Sequence, residues 1–210
     1  MNMDALTLLR QGPVVPVIIV NDAAVAVELA QALVAGGVRV LEVTLRTKAA
    51  LAAMRRMRDE VPGAIVGAGT LRTRAHVEAA IDAGAQFGVS PGFTPELGAA
   101  ARAANLTLIP GVATPSEAMR AQDEGFTIQK LFPAEAVGGI KLLKSLASPF
   151  SDLRFCPTGG IDIKKAPEYL ALPNVLAVGG SWLTPDDAIA NRDWDRITQL
   201  ALEASQLHRN

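Results

Sequence analysis

The chain has few residues of several types, and each shortage excludes a class of protein. Cys156 is the single cysteine among 210 residues, so neither an internal disulfide nor a cysteine metal cluster can form, and we expect an inert core thiol. The formal net charge is −1 at pH 7, which gives no electrostatic basis for binding nucleic acid or an anionic membrane surface. The two histidines, His76 and His208, lie in predicted helices. Without an Asp/His cluster at strand ends, we expect no metal site.

Long hydrophobic runs are also absent. No apolar segment approaches the roughly 18 residues that a membrane span needs, and residues 1–4 have neither the basic start nor the apolar core of a signal peptide. We therefore expect a soluble cytoplasmic protein, and the single cysteine suits that reducing compartment. Hydrophobic residues make up 50% of the chain and charged residues only 20%, which is typical of an α/β protein whose sheet is buried on both faces.

Short apolar runs recur along the whole chain and predict eight strands. Between them lie Ala- and Leu-rich stretches with helix-start signals, the strongest being the capping threonine, proline and glutamate of Thr114-Pro115-Ser116-Glu117. Eight strands alternating with helices predict a (β/α)8 TIM barrel, as one domain over residues 1–210, with a short helix at about residues 4–10 covering its floor. The predicted strands are 14–20, 38–45, 64–70, 87–91, 107–112, 127–132, 154–158 and 175–178.

The alternative α/β architecture is an open doubly wound sheet. That fold predicts a glycine fingerprint after the first strand, but Val20 is followed by Asn-Asp-Ala-Ala. We therefore favour the barrel.

One lysine lies apart from the other five. Poor hydration inside a buried strand favours the neutral, nucleophilic form of an amine. A snorkelling or ion-paired lysine near a strand end is the alternative. Lys130 lies in such a predicted strand, whereas the others lie in predicted helices or helix starts: Lys48, Lys141, Lys144, Lys164 and Lys165.

The second predicted strand brings polar residues toward the same interior. The strand period of two places Glu42, Thr44 and Arg46 on one face, and the same parity turns Lys130 and Phe132 inward. A carboxylate in a packed interior is costly unless it is paired or used. Glu42 is therefore either part of a structural ion pair with Arg46 or Lys130, or the proton-transfer partner of a Schiff-base lysine.

Glycine pairs follow the last two predicted strands. Gly159-Gly160 comes after the seventh strand, and Gly179-Gly180, followed by Ser181, comes after the eighth. Loops at these positions form the recurrent phosphate site of TIM barrels, because glycine lets backbone N–H groups approach an anion. Two ordinary glycine turns are the alternative. Thr70, which ends the third run, either offers a hydroxyl to a carboxylate or only terminates its strand.

Together these residues resemble the class I 2-keto-3-deoxy-6-phosphogluconate (KDPG) aldolases, many of which also cleave 2-keto-4-hydroxyglutarate (KHG). The similarity covers nearly the whole chain. Leu131 departs from the phenylalanine of many relatives, but its outward parity affects packing rather than chemistry. The motifs are Gly-Pro-Val-Val-Pro-Val at 12–17, Leu-Glu-Val-Thr-Leu-Arg-Thr at 41–47, Gly-Ala-Gly-Thr at 67–70, Ser-Pro-Gly at 90–92, Lys-Leu-Phe-Pro-Ala-Glu at 130–135, Phe-Cys-Pro-Thr-Gly-Gly-Ile at 155–161 and Gly-Gly-Ser-Trp at 179–182.

The resemblance implies a role for each candidate residue. Lys130 would be the Schiff-base lysine and Glu42 the general acid/base, while Arg46 and Thr70 would bind the pyruvyl carboxylate. It further implies a homotrimer without metal or organic cofactor, which cleaves KDPG to pyruvate and glyceraldehyde 3-phosphate and KHG to pyruvate and glyoxylate. The remaining contacts would be made by Pro91, Phe132 and Thr158 along the substrate, and by Gly159, Gly160 and Ser181, beside Gly179 and Gly180, around the phosphate.

Three alternatives to this function stay open. Relatives that act on the C4 epimer, 2-keto-3-deoxy-6-phosphogalactonate, have Glu-Ile-Pro-Leu-Asn-Ser where this chain has Glu-Val-Thr-Leu-Arg-Thr at 42–47. A phosphosugar isomerase or epimerase on the same barrel would use Lys130 only as an electrostatic stabiliser. A non-catalytic phospho-ligand domain would leave the Glu42–Lys130 pair without a purpose.

Overall fold

The computed structural model describes residues 3–208. The ends of the predicted domain, and residues 1 and 2 of the segment considered for a signal peptide, lie outside the described residues. The strands are β1 Val14–Ile18, β2 Val40–Thr44, β3 Ile65–Gly69, β4 Gly88–Val89, β5 Leu108–Ile109, β6 Gly111–Val112, β7 Ile128–Leu131, β8 Arg154–Phe155 and β9 Val178–Gly180. The helices are α1 Ala5–Leu9, α2 Ala26–Ala35, α3 Ala50–Glu60, α4 Arg74–Asp82, α5 Pro95–Ala103, α6 Pro115–Asp123, α7 Gly139–Ala147, α8 Ala166–Leu170, α9 Asp186–Ala190 and α10 Trp194–Ser205.

Several helix starts follow capping signals in the sequence. Thr73 and Thr94 accept hydrogen bonds from the first turns of α4 and α5, and Thr114 forms a complete capping box with Glu117 at α6. The sequence also predicts a helix start at Thr47, which is a residue type that caps helices. That prediction is wrong, because the Thr47 hydroxyl donates to the Val20 carbonyl and α3 begins only at Ala50. Within residues 3–208, no helix is both long and apolar enough to cross a membrane.

The strands form a curled, parallel sheet in two parts. Six strands are ordered β5-β4-β3-β2-β1-β9, and three are ordered β6-β7-β8. Two isolated parallel bridges connect the chain around β8 with the chain around β9. They pair Phe155 with Val175 and Thr158 with Gly179. The α/β class and the parallel sheet are confirmed. A single eight-stranded ladder is not seen among the described residues.

The fifth predicted strand is divided at Pro110. Leu108–Ile109 pairs with β4, whereas Gly111–Val112 pairs with β7. Proline has no N–H to donate to a ladder, and here its carbonyl accepts the Lys130 N–H at 2.8 Å. The chain therefore changes sheets at this residue, directly beside Lys130.

Alternate residues of each strand pack in two different cores. In β2, Leu41 and Val43 lie in the outer core with the helices, while Val40 lies in the inner core. Leu8 and Leu9 of α1 are also in the inner core, so the short N-terminal helix covers the end of the sheet where the strands begin. This parity leaves Glu42 facing inward above Val40.

Candidate active site

Lys130 and Glu42 meet inside the curled sheet. Lys130 extends from β7 in the three-stranded part and Glu42 from β2 in the six-stranded part. The Lys130 Nζ and Glu42 Oε1 atoms are 3.3 Å apart, and only 5% and 4% of the two side chains are exposed. The Lys130 Nζ also lies 5.2 Å from the centre of the Phe132 ring. An amine and a carboxylate are thus held together out of bulk water.

A glycine makes room for the Glu42 carboxylate. Gly69, on the adjacent strand β3, is buried against that side chain. A Cβ atom built on Gly69 would lie 2.7 Å from the Glu42 Cγ and 2.9 Å from its Cδ, and closer still to Oε1. Because carbon–carbon contacts below 3.0 Å are essentially never found, any other residue at this position would displace the carboxylate.

Arg46 and Thr70 form a second polar pair at the strand ends. Arg46 lies beyond the end of β2, in a turn, so it is not carried on the strand face that the sequence period predicts. Its Nε donates to the Thr70 hydroxyl at 3.2 Å. Thr70 has φ +64°, a left-handed conformation that is uncommon for a non-glycine residue. The Arg46 guanidinium is exposed and available for a carboxylate.

A pocket with a volume of about 180 Å³ opens at these strand ends. Most of the predicted site residues share it, together with three residues that were not predicted: Val17, Ile19 and Ile161. The predicted residues that line it are Arg46, Lys130, Phe132, Thr158, Gly159, Gly160, Gly179, Gly180 and Ser181.

Three predicted residues do not line this pocket directly. Glu42 lies behind Lys130, and Thr70 is joined to the pocket by Arg46. Pro91 packs its backbone against Gly111, whose register partner is Lys130. The structure therefore brings all of the predicted residues to one end of the sheet, with Pro91 the least directly involved.

Comparison with known proteins identifies the group to which this arrangement belongs. The sequence profile of the family "KDPG and KHG aldolase" matches residues 6–200. The 2-dehydro-3-deoxy-phosphogluconate aldolase of Dickeya dadantii (strain 3937) is 55% identical over 197 residues, which cover 94% of this chain and 92% of that protein. The chain belongs to the KDPG and KHG aldolase family. It is therefore an enzyme of the lyase class.

A second relative and a solved structure are similar to this chain over nearly its whole length. The KHG/KDPG aldolase of Escherichia coli (strain K12) is 54% identical over 200 residues, covering 95% of this aldolase and 94% of that protein. The structure of the KDPG aldolase from Legionella pneumophila, with pyruvate captured at low pH as a covalent carbinolamine, has a TM-score of 0.95 and 44% identity. That similarity covers 98% of this chain and 100% of the other.

The sequence did not indicate a charged cluster behind the glycine loop of this aldolase. The Lys165 Nζ lies 2.6 Å from the Glu135 Oε2, and the Tyr169 hydroxyl donates to the Glu135 Oε1. The Lys165 ammonium, followed by the Tyr169 hydroxyl, lowers the pKa of Glu135. Glu135 ends a motif of the resemblance, but nothing local in the sequence connects it with positions 165 and 169.

The cysteine of this aldolase lies in the inner core, just after β8 rather than in the middle of a strand. Burial, its largest influence, raises the pKa of the Cys156 thiol to about 12. Such a thiol is protonated at neutral pH and is a poor nucleophile. Among the described residues, no group of three or more His, Cys, Asp or Glu side chains is arranged to hold a metal ion.

Proposed function

We propose that this aldolase cleaves KDPG to pyruvate and glyceraldehyde 3-phosphate through a Schiff base on Lys130. The observation that carries the proposal is the buried contact of 3.3 Å between the Lys130 amine and the Glu42 carboxylate, beside a pocket edged by two glycine pairs. The names of the relatives from D. dadantii and E. coli support the substrate. The covalent pyruvate in the L. pneumophila relative supports the intermediate.

Imine formation comes first. Lys130 transfers a proton to Glu42 along their hydrogen bond, and the neutral amine attacks the C2 ketone of the substrate. The carbinolamine then loses its hydroxyl group as water, with Glu42 as the proton donor, and leaves a protonated imine. Because Lys130 and Glu42 are close together, the Glu42 carboxylate can first accept and then donate the proton.

Carbon–carbon cleavage follows from the imine. Glu42 removes the proton of the C4 hydroxyl, and the electrons of the C3–C4 bond move into the protonated imine to form an enamine. Glyceraldehyde 3-phosphate leaves. Protonation of the enamine at C3 and hydrolysis of the imine then release pyruvate and restore the Lys130 amine.

The other site residues bind and orient the substrate in this proposal. Arg46 is the fixed cation for the pyruvyl carboxylate, and Thr70 holds its guanidinium. Pro91, Phe132 and Thr158 line the carbon chain. The phosphate is bound by backbone N–H groups of the loop at Gly159 and Gly160 and by the Ser181 hydroxyl just after β9. Gly179 and Gly180 edge this site as the last residues of β9, and the Gly179 N–H already donates to the Pro157 carbonyl at 2.8 Å.

The same site suits a second substrate, because KDPG and KHG share the pyruvyl half. We propose cleavage of KHG to pyruvate and glyoxylate by the same steps, which the family description and the E. coli relative support. We further propose that the two sheet parts close as a (β/α)8 barrel, that residues 1–210 form one domain, and that the protein is a homotrimer. The cytoplasmic location stays a prediction.

Sodium borohydride trapping with pyruvate tests the chemistry. Intact mass and peptide mapping should show one reduced pyruvyl adduct, on Lys130 and on none of the other five lysines. Lys130→Ala should abolish both adduct and turnover. Glu42→Gln should slow turnover by roughly a hundredfold or more while an adduct still forms.

Several outcomes would contradict the proposal. A folded protein that forms no adduct would favour an isomerase or epimerase, whose reaction needs no covalent intermediate. Saturable binding of sugar phosphates without turnover would favour a binding domain. Faster cleavage of the C4 epimer, 2-keto-3-deoxy-6-phosphogalactonate, than of KDPG would replace the proposed substrate.

A further inference from the structure

Three successive carbonyl groups of the first glycine loop point away from the pocket. The Thr158 carbonyl accepts the Ala134 N–H at 2.8 Å, and the Gly159 carbonyl accepts the Glu135 N–H at 3.1 Å. The Gly160 carbonyl accepts the Lys165 Nζ at 3.0 Å. Two of these bonds come from backbone. The third depends on a side chain.

A hydrogen bond that fixes the direction of a carbonyl group also fixes the direction of the next residue's N–H. In a trans peptide the C=O and the following N–H lie in one plane and point in opposite directions. The bond to the Gly159 carbonyl therefore orients the Gly160 N–H, and the bond to the Gly160 carbonyl orients the Ile161 N–H. Gly160 and Ile161 both line the pocket, and within residues 3–208 their N–H groups have no hydrogen-bond acceptor. The side chain of Lys165 thus sets the direction of a donor at the anion site.

Lys165 is itself held in place from the core. The Tyr169 side chain is completely buried, and its hydroxyl donates to Glu135, whose other oxygen accepts the Lys165 Nζ at 2.6 Å. Gly160 packs directly on Glu135, since a Cβ there would lie 2.7 Å from the Glu135 Cγ. A continuous path of contacts therefore joins the core to the loop through Tyr169, Glu135 and Lys165.

Charge gives Lys165 a second effect on the same loop. Glu135 places a carboxylate behind Gly160, and a carboxylate near an anion site repels phosphate. The Lys165 ammonium lies against that carboxylate, and hydrogen bonding to Glu135 raises the pKa of Lys165. The pair is therefore ionised at neutral pH, and its charges cancel. Without Lys165, the negative charge would act alone.

We propose that Lys165 is a positioning residue for phosphate recognition, acting through the Gly160 carbonyl and the Glu135 carboxylate rather than by touching the substrate. The inference rests on the proposed function, because it assigns the glycine loop to the phosphate of KDPG. It distinguishes the two substrates: KDPG carries a phosphate, and KHG does not.

Steady-state kinetics of Lys165→Met test the inference. The KM for KDPG should rise about five- to tenfold, which is the size expected for the loss of one ordinary hydrogen bond, with little change in kcat. The KM and kcat for KHG should stay at wild-type values. Lys165→Arg, which keeps the charge and the donors, should restore most of the affinity for KDPG.

Lys164→Met is the matched control. Lys164 is the preceding residue and is also exposed, and its N–H shares the Asp162 acceptor with that of Lys165. Its removal takes away the same charge from the same turn, so it should leave both substrates unaffected. An equal loss with Lys164→Met would mean that general charge, and not the Gly160 contact, is responsible, and would overturn the proposal.

A binding measurement separates this inference from the proposed function. Titration with inorganic phosphate, followed by amide NMR, should shift the Gly160 and Ile161 signals in the wild type at lower concentrations than in Lys165→Met. Equal phosphate affinity in the two proteins, or an equal rise of KM for KDPG and KHG, would refute the role of Lys165. If the wild type formed no pyruvyl adduct and cleaved neither substrate, the aldolase proposal would fail while the phosphate titration still tested Lys165.

Discussion

Replacing Gly69 by alanine should separate catalysis from stability. The new Cβ would lie 2.7 Å from the Glu42 Cγ, whereas ordinary contacts begin at 3.4 Å. The Glu42 side chain must therefore move by at least about 0.7 Å, which lengthens its contact with the Lys130 Nζ from 3.3 Å to about 4 Å or more, beyond a normal hydrogen bond. Misplacement on this scale costs up to about a hundredfold in rate. We expect kcat for KDPG cleavage to fall by about 30- to 100-fold.

The fold should tolerate the same substitution. Gly69 does not have a positive φ, so alanine is compatible with its backbone, and the clash is with the end of a side chain that can rotate. Glycine-to-alanine changes at compatible positions contribute about 0.4–1 kcal/mol of stability through the unfolded state, which offsets part of the local strain. Thermal unfolding should show a Tm close to that of the wild type.

A second glycine serves as the control for Gly69→Ala, and two outcomes would contradict the prediction. Gly12→Ala is the control, because a Cβ at Gly12 meets nothing within 4 Å, and both its Tm and its kcat should match the wild type. A wild-type kcat in Gly69→Ala would show that the position of the Glu42 carboxylate does not limit the reaction. Collapse of the Tm would show that the Glu42 side chain cannot move, and would refute the steric argument.

Two further predictions concern the core and a helix start. Below its ordinary pKa of 9.0, Cys156 is protonated in both states; from there to its folded pKa of about 12, only the unfolded chain ionises, so stability should fall by about 1.4 kcal/mol per pH unit. Urea titrations at pH 8, 9 and 10 should therefore show a free energy of unfolding that falls little from pH 8 to 9 and by about 1 kcal/mol from pH 9 to 10. Rapid alkylation of the folded protein at pH 8 would contradict the burial. Thr114→Ala removes the capping box of α6 and should cost about 1 kcal/mol, seen as a lower Tm with unchanged kcat, whereas Thr114→Ser should retain most of that stability.

The positions of most strands and the inward residues were predictable because they depend on local patterns. Apolar runs mark each strand, and the period of two assigns Glu42 and Lys130 to the interior and Leu41 and Leu131 to the outer core. Capping residues likewise mark helix starts within a few positions. These signals need no knowledge of distant contacts.

The eighth strand was misplaced because its sequence signal is weak. The predicted run 175–178 shares only Val178 with β9, which continues through Gly179 and Gly180. Glycine has low strand propensity, but these two positions leave no room for a side chain: Thr158 covers Gly179, and the Trp182 ring covers Gly180. The requirement comes from neighbours that only the folded chain brings together.

The remaining site residues could not be predicted, because their roles depend on contacts between distant parts of the chain. Val17, Ile19 and Ile161 lie in apolar segments, so nothing in their pattern separates a pocket residue from a core residue. The ion pair of Glu135 with Lys165 joins residues 30 positions apart, and its effect on the Gly160 carbonyl depends on the path of the loop. Sequence periodicity carries no information about such a contact.

The division of the fifth strand at Pro110 has a consequence for attempts to re-engineer this scaffold. Because the chain changes sheets there, Glu42 belongs to the six-stranded part and Lys130 to the three-stranded part. Their 3.3 Å separation therefore measures the alignment of two assemblies rather than the geometry of one. Loop insertions, fusions or chimeras that exchange one part for that of a relative would have to conserve the packing along this seam. A small shift between the two sheet parts would reduce activity before it reduced the stability of the fold.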